Sequence, residues 1–345
     1  GRLKEKEQEL TQEIEALVAQ ANRCDKEEDQ TYKEKTGYEL QDDLKFKQDR
    51  LIKIQQAKEA LEQREEELNP DKPIEDQKQI SFADKDARLM GKKGEYGYDY
   101  NPQISVDEDN QIIIGQHVSQ NANDKKELGA ALEAIEKTTG QLPDKLSMDN
   151  GYMSGDNLEV VQISGVDTYI ATHKGEKKNK IPLQECERKV VKSDFEYDEV
   201  DNSFNCPGGQ KLIMISESGD GVRVYQGKSE VCTKCIFNDR CCRSAKGAAR
   251  TITTDDKEPL RLLMNQKMEE EVSKEIYGKR KVIVEPVFGQ IKNTGFRGFS
   301  VRGKEKVAGE FSLVCATHNM KKMIKAVFKG LLPPKFGNLA LNPTI

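Results

Sequence analysis

Between about positions 100 and 170, the spacing of the apolar residues alternates between that of a strand and that of a helix. Strand patterns cover Gln103–Asp107 and residues 112–118, and the polar residues between them predict a turn. After a first helix come a short strand that ends before Asp149, a helix at Ser154–Ile163 and a strand at Val166–Ala171. This order of strand, strand, helix, strand, helix, strand predicts an α/β layer.

The first helix of this layer has both ends marked in the sequence. Asp124 and Glu127 have the spacing of a capping box, which predicts the N-terminus. Gly140 predicts the C-terminus. The apolar residues between them recur at helical spacing: Leu128, Ala131, Leu132 and Ile135. They predict an amphipathic helix with one buried face.

Two aspartates, Asp107 and Asp149, stand in or directly after predicted strands. Open α/β sheets bind ligands at the carboxyl ends of their strands, so both are candidate metal ligands. Asn150 and Gly151 follow Asp149, and Asp-Asn-Gly is also good turn chemistry. A turn is therefore the alternative interpretation of Asp149.

Residues 1–68 are highly charged and have apolar residues at heptad-like spacing on both sides of a polar break at 24–37. They predict two helices in a coiled-coil-like arm, which is either a dimerisation or spacer element or a charged linker. Residues 69–92 contain Pro70 and Pro73 and predict a linker. The chain starts with Gly and enters a helix at once, so we expect an N-terminally truncated protein.

Residues 173–258 interrupt the alternation and predict an inserted β and loop subdomain that holds six of the eight cysteines. Four of them are candidate zinc ligands: Cys206, Cys232, Cys235 and Cys241. Cys232 and Cys235 have the two-residue spacing of a zinc knuckle, but a second such pair is missing. Structural Zn²⁺ and reduced structural thiols both remain open. The three histidines, His117, His173 and His318, are scattered and are interpreted as structural.

Helical patterning returns near Pro259. Pro286 is tolerated only in the first turn of a helix, so a helical segment is predicted to begin near Glu285. Lys292 lies seven residues further on, and hence on the same helical face. An N-terminal Glu that stabilises the helix dipole is the alternative interpretation of Glu285.

Charge is unevenly distributed along the chain. The net charge is −5, whereas residues 278–330 contain twelve Lys and Arg and three Glu, a net +9. Such a block is typical of phosphate binding, and a solvated basic helix is the alternative. No apolar run reaches the roughly 18 residues needed to span a bilayer, so no membrane partner is expected.

Asp107, Asp149 and Glu285 together would supply oxygen ligands to hard divalent cations. Two such ions stabilise the attacking and leaving oxygens of an in-line phosphoryl displacement. Lys292 would hold a DNA phosphate as a point charge.

These residues resemble the DDE transposases of bacterial insertion sequences, in the subgroup with a Tyr-Arg-Glu-Lys signature. Four stretches in order carry the resemblance, which covers about residues 80–328: Ile104-Ser-Val-Asp107, Met148-Asp-Asn-Gly-Tyr152, Val284-Glu-Pro-Val-Phe-Gly-Gln-Ile-Lys292 and Gly309-Glu-Phe-Ser-Leu-Val-Cys-Ala-Thr-His-Asn-Met-Lys321. One departure concerns the signature, in which three residues usually separate Arg from Glu. Here Arg280 has four residues before Glu285, and Lys281 has three.

The resemblance implies an RNase H-like catalytic core at 93–172 and 259–330, interrupted by the Cys-rich insertion and followed by a tail at 331–345. It implies two Mg²⁺ or Mn²⁺ ions held by Asp107, Asp149 and Glu285. The DNA contacts that we assign are Tyr277, Arg280, Lys292, Arg297 and Arg302. A second departure is the absence of a helix-turn-helix ahead of the core, which agrees with truncation.

The function expected from this resemblance is cleavage of DNA at element ends and strand transfer into target DNA. A homodimer in the synaptic complex, and a location in the bacterial cytoplasm at the nucleoid, are expected with it. Two alternatives remain: a metal-dependent nuclease without strand transfer, and an inactive DNA-binding remnant.

Overall fold

The computed structural model has a mixed α/β fold. It describes these ranges: 2–28, 38–70, 72–92, 94–172, 182–185, 187–219, 221–242 and 248–330. His173, Cys186, the tail at 331–345 and part of the polar break at 24–37 lie outside the described residues. The chain forms two compact units. The first combines residues 1–101, 118–122 and 298–311, and the second combines residues 102–117, 123–297 and 312–345.

In the first unit, helix α1 (Arg2–Glu28) packs along helix α2 (Tyr38–Leu68). Glu7 pairs with Lys58 at 2.9 Å and Glu13 with Lys47 at 2.7 Å. Later residues of α1 thus meet earlier residues of α2, which makes the pair antiparallel. Leu10 and Ile54 are buried, as expected for the apolar seam.

Two short strands, β1 (Arg88–Lys92) and β2 (Glu95–Asp99), form an antiparallel hairpin in the same unit. All of strand β1 lies inside the stretch 69–92 that was predicted as a linker. Near it, the Asp84 carboxylate accepts hydrogen bonds from the Tyr100 hydroxyl at 2.8 Å and the Gly303 amide at 3.1 Å. Two remote parts of the sequence are thereby joined within this unit.

Strands β3 (Asn101–Val106) and β4 (Ile113–Ser119) form a pair connected by the predicted turn, and most of their residues belong to the second unit. Helix α3 (Leu128–Thr139) follows, and its buried residues are the four predicted from the helical spacing. Gly140 ends α3 with φ +79°, also as predicted. The capping box was wrong. The helix begins at Leu128, and the Glu127 carboxylate instead contacts His117 Nε2 at 2.8 Å.

Strand β5 (Lys145–Met148) pairs in parallel with β6 (Asp167–Ile170), and α4 (Gly155–Ser164) connects them. The side chains of α3, α4 and this strand pair form one core with Met264: Leu128, Leu132, Met148, Met153, Leu158, Val166 and Ile170. In the described residues β3–β4 and β5–β6 are two separate strand pairs. The single RNase H-like sheet therefore stays a prediction.

A five-stranded antiparallel sheet occupies most of the region predicted as β and loop. Its spatial order is β11-β10-β9-β8-β7, with these bounds: β7 (Glu196–Asp198), β8 (Ser203–Asn205), β9 (Lys211–Glu217), β10 (Val222–Gln226) and β11 (Thr251–Asp255). Phe204, Leu212 and Tyr225 form its core. Two short helices, α5 (Ser229–Cys232) and α6 (Asn238–Cys241), lie between β10 and β11.

Four helices complete the described chain: α7 (Glu258–Glu269), α8 (Glu271–Ile283), α9 (Glu285–Asn293) and α10 (Lys304–Phe328). Helices α7 and α8 pack against the β5–β6 pair. Pro286 lies in the first turn of α9, as predicted. A proline is tolerated there because it removes no helical hydrogen bond. None of the helices described is long and apolar enough to cross a bilayer.

Replacement of Leu128 by Ala tests the core of the second unit. Leu128 is fully buried, so the lost contacts and the cavity should lower the free energy of unfolding by about 2–5 kcal/mol. Ile163→Ala, at a side chain that is 85% exposed, is the control and should change it little. Urea unfolding followed by circular dichroism measures both, and equal midpoints would contradict this packing.

Candidate active site

Asp107 follows strand β3 and closes the turn to β4. One carboxylate oxygen accepts a hydrogen bond from the Asn110 amide at 2.9 Å, and the other accepts from the Ile112 amide. The Asp107 amide donates to the Ile112 carbonyl at 2.9 Å. These bonds fix the direction of the Asp107 side chain. Each carboxylate oxygen keeps a further lone pair for another partner.

Gln111, in the same turn, contacts residues of three helices, α8, α9 and α10. Its side-chain amide donates to the Val282 carbonyl at 2.7 Å, at the end of α8. Its side-chain oxygen accepts from Lys322 at 2.6 Å and from Gln290 at 3.3 Å, and its main-chain carbonyl lies 2.9 Å from His318 Nε2. The turn with Asp107 is thereby held beside the junction of α8 and α9.

Lys322 places a positive charge near Asp107. Burial lowers the pKa of the Lys322 ammonium, nearby Lys325 lowers it further, and the Asp107 carboxylate opposes them. This lysine of α10 was not among the predicted site residues, because spacing within one helix does not show which distant turn that helix approaches.

Asp149 directly follows β5, where the sequence predicted it. It caps a 3-10 turn at Asn150–Tyr152 by accepting the Gly151 amide at 2.8 Å. Both interpretations from the sequence are thus compatible with its position, since a capping carboxylate oxygen still has a free lone pair.

A second carboxylate, Asp124, lies beside Asp149. A Cβ atom built on Gly151 would be 2.9 Å from an oxygen of Asp124 and 2.9 Å from an oxygen of Asp149. The two oxygens are therefore at most twice that distance apart. Only glycine fits at 151 without moving one of these carboxylates. Sequence reasoning assigned Asp124 to a helix cap and missed this pairing.

Hydrogen bonds anchor Asp124 and the neighbouring Tyr152. Gln103 donates its amide to Asp124 at 2.7 Å and accepts the Tyr152 hydroxyl. The buried Asn157 amide donates to the main-chain carbonyls of Asp124 at 2.9 Å and Tyr152 at 2.8 Å. Burial raises the pKa of the Tyr152 hydroxyl well above its usual range, and the charges of Asp124 and Asp149 raise it further. Tyr152 therefore remains a neutral donor.

Glu285 begins α9, and 58% of its side chain is exposed. A guanidinium nitrogen of Arg280 lies 3.9 Å from its carboxylate, across the break between α8 and α9. The Arg280 guanidinium also lies 5.6 Å from the ring centre of Tyr277. The positive charge of Arg280 also opposes part of the rise in the pKa of Tyr152. Arg280, not Lys281, thus occupies the position facing Glu285.

The remaining predicted DNA contacts, Lys292, Arg297 and Arg302, have exposed side chains. Lys292 belongs to α9 and is accessible on the same helix as Glu285. Arg302 belongs to the first compact unit, whereas Lys292 and Arg297 belong to the second.

The donor atoms of the three predicted acids suit Mg²⁺ or Mn²⁺, because hard cations prefer carboxylate oxygen. The structure holds Asp149 near Asp124, and it fixes the Asp107 turn beside the helix junction that precedes Glu285. In the ranges that the structure describes, no three His, Cys, Asp or Glu side chains are gathered so that they could hold a metal ion. The carboxylates fit the ion chemically, but a three-acid site is not preformed.

The four predicted thiol ligands lie around one cavity of about 450 Å³ in the sheet region, together with Cys242. The Cys242 thiol was not among the predicted ligands. The two histidines that the structure describes make local contacts, His117 with Glu127 and His318 with Gln111.

Gly151→Ala tests the closeness of the two carboxylates. The added methyl group must displace Asp124 or Asp149, so we expect a loss of about 1–3 kcal/mol in stability. Gly129→Ala is the matched control, since nothing lies near its Cβ, and should stabilise α3 by up to about 1 kcal/mol. Urea unfolding measures both. In an Asp124→Ala background the cost at position 151 should shrink, and an unchanged cost would contradict the pairing.

The family model described as "Transposase DDE domain" matches residues 205–324, roughly a third of the chain. The matched segment contains Glu285 and the thiol cluster, but Asp107 and Asp149 lie before it. No curated protein and no solved structure matches the chain significantly. The family match supports a DDE transposase.

Proposed function

We propose that this chain is a transposase of a bacterial insertion sequence, in the Tyr-Arg-Glu-Lys subgroup, that cleaves element ends and transfers them into target DNA. One observation carries the proposal: the segment that matches the transposase DDE domain contains Glu285 at the start of α9. Asp107 and Asp149 precede that segment, at the ends of strands in the same compact unit as Glu285.

Asp107, Asp149 and Glu285 would hold two Mg²⁺ or Mn²⁺ ions. When bound, the ions would stabilise the charge on the attacking and leaving oxygens of the phosphodiester. The chain itself fixes the positions of two of the carboxylates. The Asp107 turn is fixed by its own amides and by Gln111, and Asp149 is fixed by the 3-10 turn. Fixed carboxylates reduce the reorganisation needed to reach the transition state.

Glu285 has the weakest contact of the three acids. Its ion pair with Arg280 is long and exposed, and such pairs contribute at most about 1 kcal/mol. The carboxylate can therefore exchange Arg280 for a stronger partner at small energetic cost. Arg280 and Tyr277 would then be left to contact DNA close to the reacting phosphate.

DNA phosphates would bind the basic residues of the C-terminal block. Lys292 shares α9 with Glu285, so it would contact a phosphate near the cleaved bond. Arg297 and Arg302 would contact the flanking backbone. A homodimer that brings two element ends together would follow from this function, and the protein would act on nucleoid DNA in the bacterial cytoplasm.

Substitution of the acids tests the proposal directly. Asp107→Asn, Asp149→Asn and Glu285→Gln should each weaken Mn²⁺ binding, because each removes a charged oxygen ligand. Titration with Mn²⁺, followed by the electron paramagnetic resonance signal of the free ion, measures the loss. Asp109→Asn and Glu275→Gln change exposed acids in the same turn and on α8, and they should bind Mn²⁺ as the original protein does.

The three variants Asp107→Asn, Asp149→Asn and Glu285→Gln should fail to nick supercoiled plasmid DNA and to join a 3′-hydroxyl duplex end to it. If the original protein nicks the plasmid but gives no joined product, the nuclease alternative is favoured. If the original protein binds metal but neither nicks nor joins, the inactive remnant is favoured. Mn²⁺ binding that is equal in all six proteins would refute the assignment of the three acids.

Arg280→Ala should reduce nicking and joining by roughly 10–100-fold, because a misplaced catalytic group costs about that much. Lys281→Ala, one residue along, is the matched control, since its side chain is exposed and the ion pair with Glu285 is made by Arg280. Initial rates of plasmid nicking measure both. A larger loss in Lys281→Ala would reverse the assignment of the signature arginine.

A further inference from the structure

Five cysteine side chains converge in the sheet region, and neither the proposed catalysis nor DNA binding uses them. They line one cavity of about 450 Å³: Cys206, Cys232, Cys235, Cys241 and Cys242. None forms a disulfide in the structure. The question is whether these thiols only fill space or share a ligand.

The turn after β8 has the hydrogen bonding of a metal knuckle. The Cys206 amide donates to the Gln210 carbonyl at 2.7 Å, and the Gly209 amide donates to the Cys206 carbonyl at 2.9 Å. The Gln210 amide then donates to the Cys206 sulfur at 3.2 Å. A main-chain N–H directed at sulfur stabilises the thiolate over the thiol, because it favours the charged form.

The Cys235 sulfur also accepts a contact from a main-chain amide, and it lies near the Cys206 sulfur. The Phe237 amide points at the Cys235 sulfur at 3.5 Å, in the same manner as at Cys206. A Cβ atom built on Gly208 would lie 3.1 Å from the Cys235 sulfur and 3.6 Å from the Cys206 sulfur. The distance between the two sulfurs is therefore no larger than the sum of these two distances. Because Gly208 has no side chain, the space beside the Cys206 and Cys235 sulfurs stays open.

Cys232 and Cys241 face the same space from the two short helices. Cys232 ends α5 and Cys241 ends α6. Both side chains line the cavity that Cys206 and Cys235 also line. The cavity therefore brings together sulfur donors from the turn after β8, from α5 and from α6.

We propose that Cys206, Cys232, Cys235 and Cys241 bind one Zn²⁺ ion as four thiolates, and that Cys242 is a neighbouring thiol outside the ligand set. Four soft sulfur donors from a turn and a Cys-x-x-Cys pair are the donor set of structural zinc. Cys241 is chosen over Cys242 because it packs with Cys206 and Cys235 against the sheet core. This proposal does not rest on the proposed function.

Zinc binding requires the sulfurs to move closer together. Among the side chains that the structure describes, no three stand at metal-coordinating separation. The cavity leaves room for the cysteine side chains to rotate inward, and binding would release the thiol protons. The ion would then join the β8–β9 turn to α5 and α6, which stabilises a sheet with a small core.

The test uses the full chain, purified under reducing conditions. Elemental analysis should find one zinc per chain. After chelation, Co²⁺ should restore one metal per chain, with the charge-transfer and d–d absorption of tetrahedral sulfur coordination. Serine variants at positions 206, 232, 235 and 241 should lose that absorption. Cys242→Ser, and the control Cys315→Ser on α10, should retain it.

Thiol counting keeps the proposal testable if a serine variant fails to fold. In denaturant with chelator, all eight cysteines should react with a thiol reagent. The zinc-bound native protein should protect four more thiols than the same native protein does after chelation. Six reactive thiols in denaturant would show a disulfide instead of a metal site. A protein that takes up neither Zn²⁺ nor Co²⁺ would overturn the proposal. Retained metal in Cys241→Ser together with lost metal in Cys242→Ser would overturn the ligand assignment.

Discussion

Two buried methionines constrain the centre of the second unit. Met148 ends β5, Met153 follows the 3-10 turn, and both lie in the core around Leu128 and Ile170. The turn that contains Asp149 is therefore held at both ends by burial. Each methionine contributes about 1.5–3 kcal/mol from its burial, more than one hydrogen bond of the turn contributes. The direction of Asp149 is thus set mainly by hydrophobic packing, and the polar contacts adjust it.

The junction between α8 and α9 bears on which basic residue lies beside Glu285. Val284 ends one helix and precedes the next, and Pro286 follows in the first turn of α9. A straight helix would place residues by a fixed rotation of 100° each. Across the junction at Val284, a guanidinium nitrogen of Arg280 lies 3.9 Å from the Glu285 carboxylate despite the extra residue between them. Counting residues along the signature does not account for a junction between two helices.

The sequence predicted local features well and long-range ones poorly. The buried face of α3, the end of β5 before Asp149 and the start of α9 near Pro286 depend on neighbouring residues, and all three were predicted correctly. The capping box at Asp124 failed because Glu127 finds His117 and Asp124 finds Gln103, which are tertiary partners. The pairing of Asp124 with Asp149, and the contact of Gln111 with α10, also join segments that no periodicity connects.

The contacts of Gln111 have a consequence for synthesis of the protein. Its hydrogen bonds to Val282, His318 and Lys322 join residues 171, 207 and 211 positions apart. Ribosomes add about 5–20 residues per second, so the turn with Asp107 waits roughly 10–40 seconds for its last partner. During that interval the chain can fold the core around Leu128, whose contacts are closer in sequence. The Asp107 turn is consequently among the last parts of this unit to be fixed, because its partners on α10 are the last of these residues to be made.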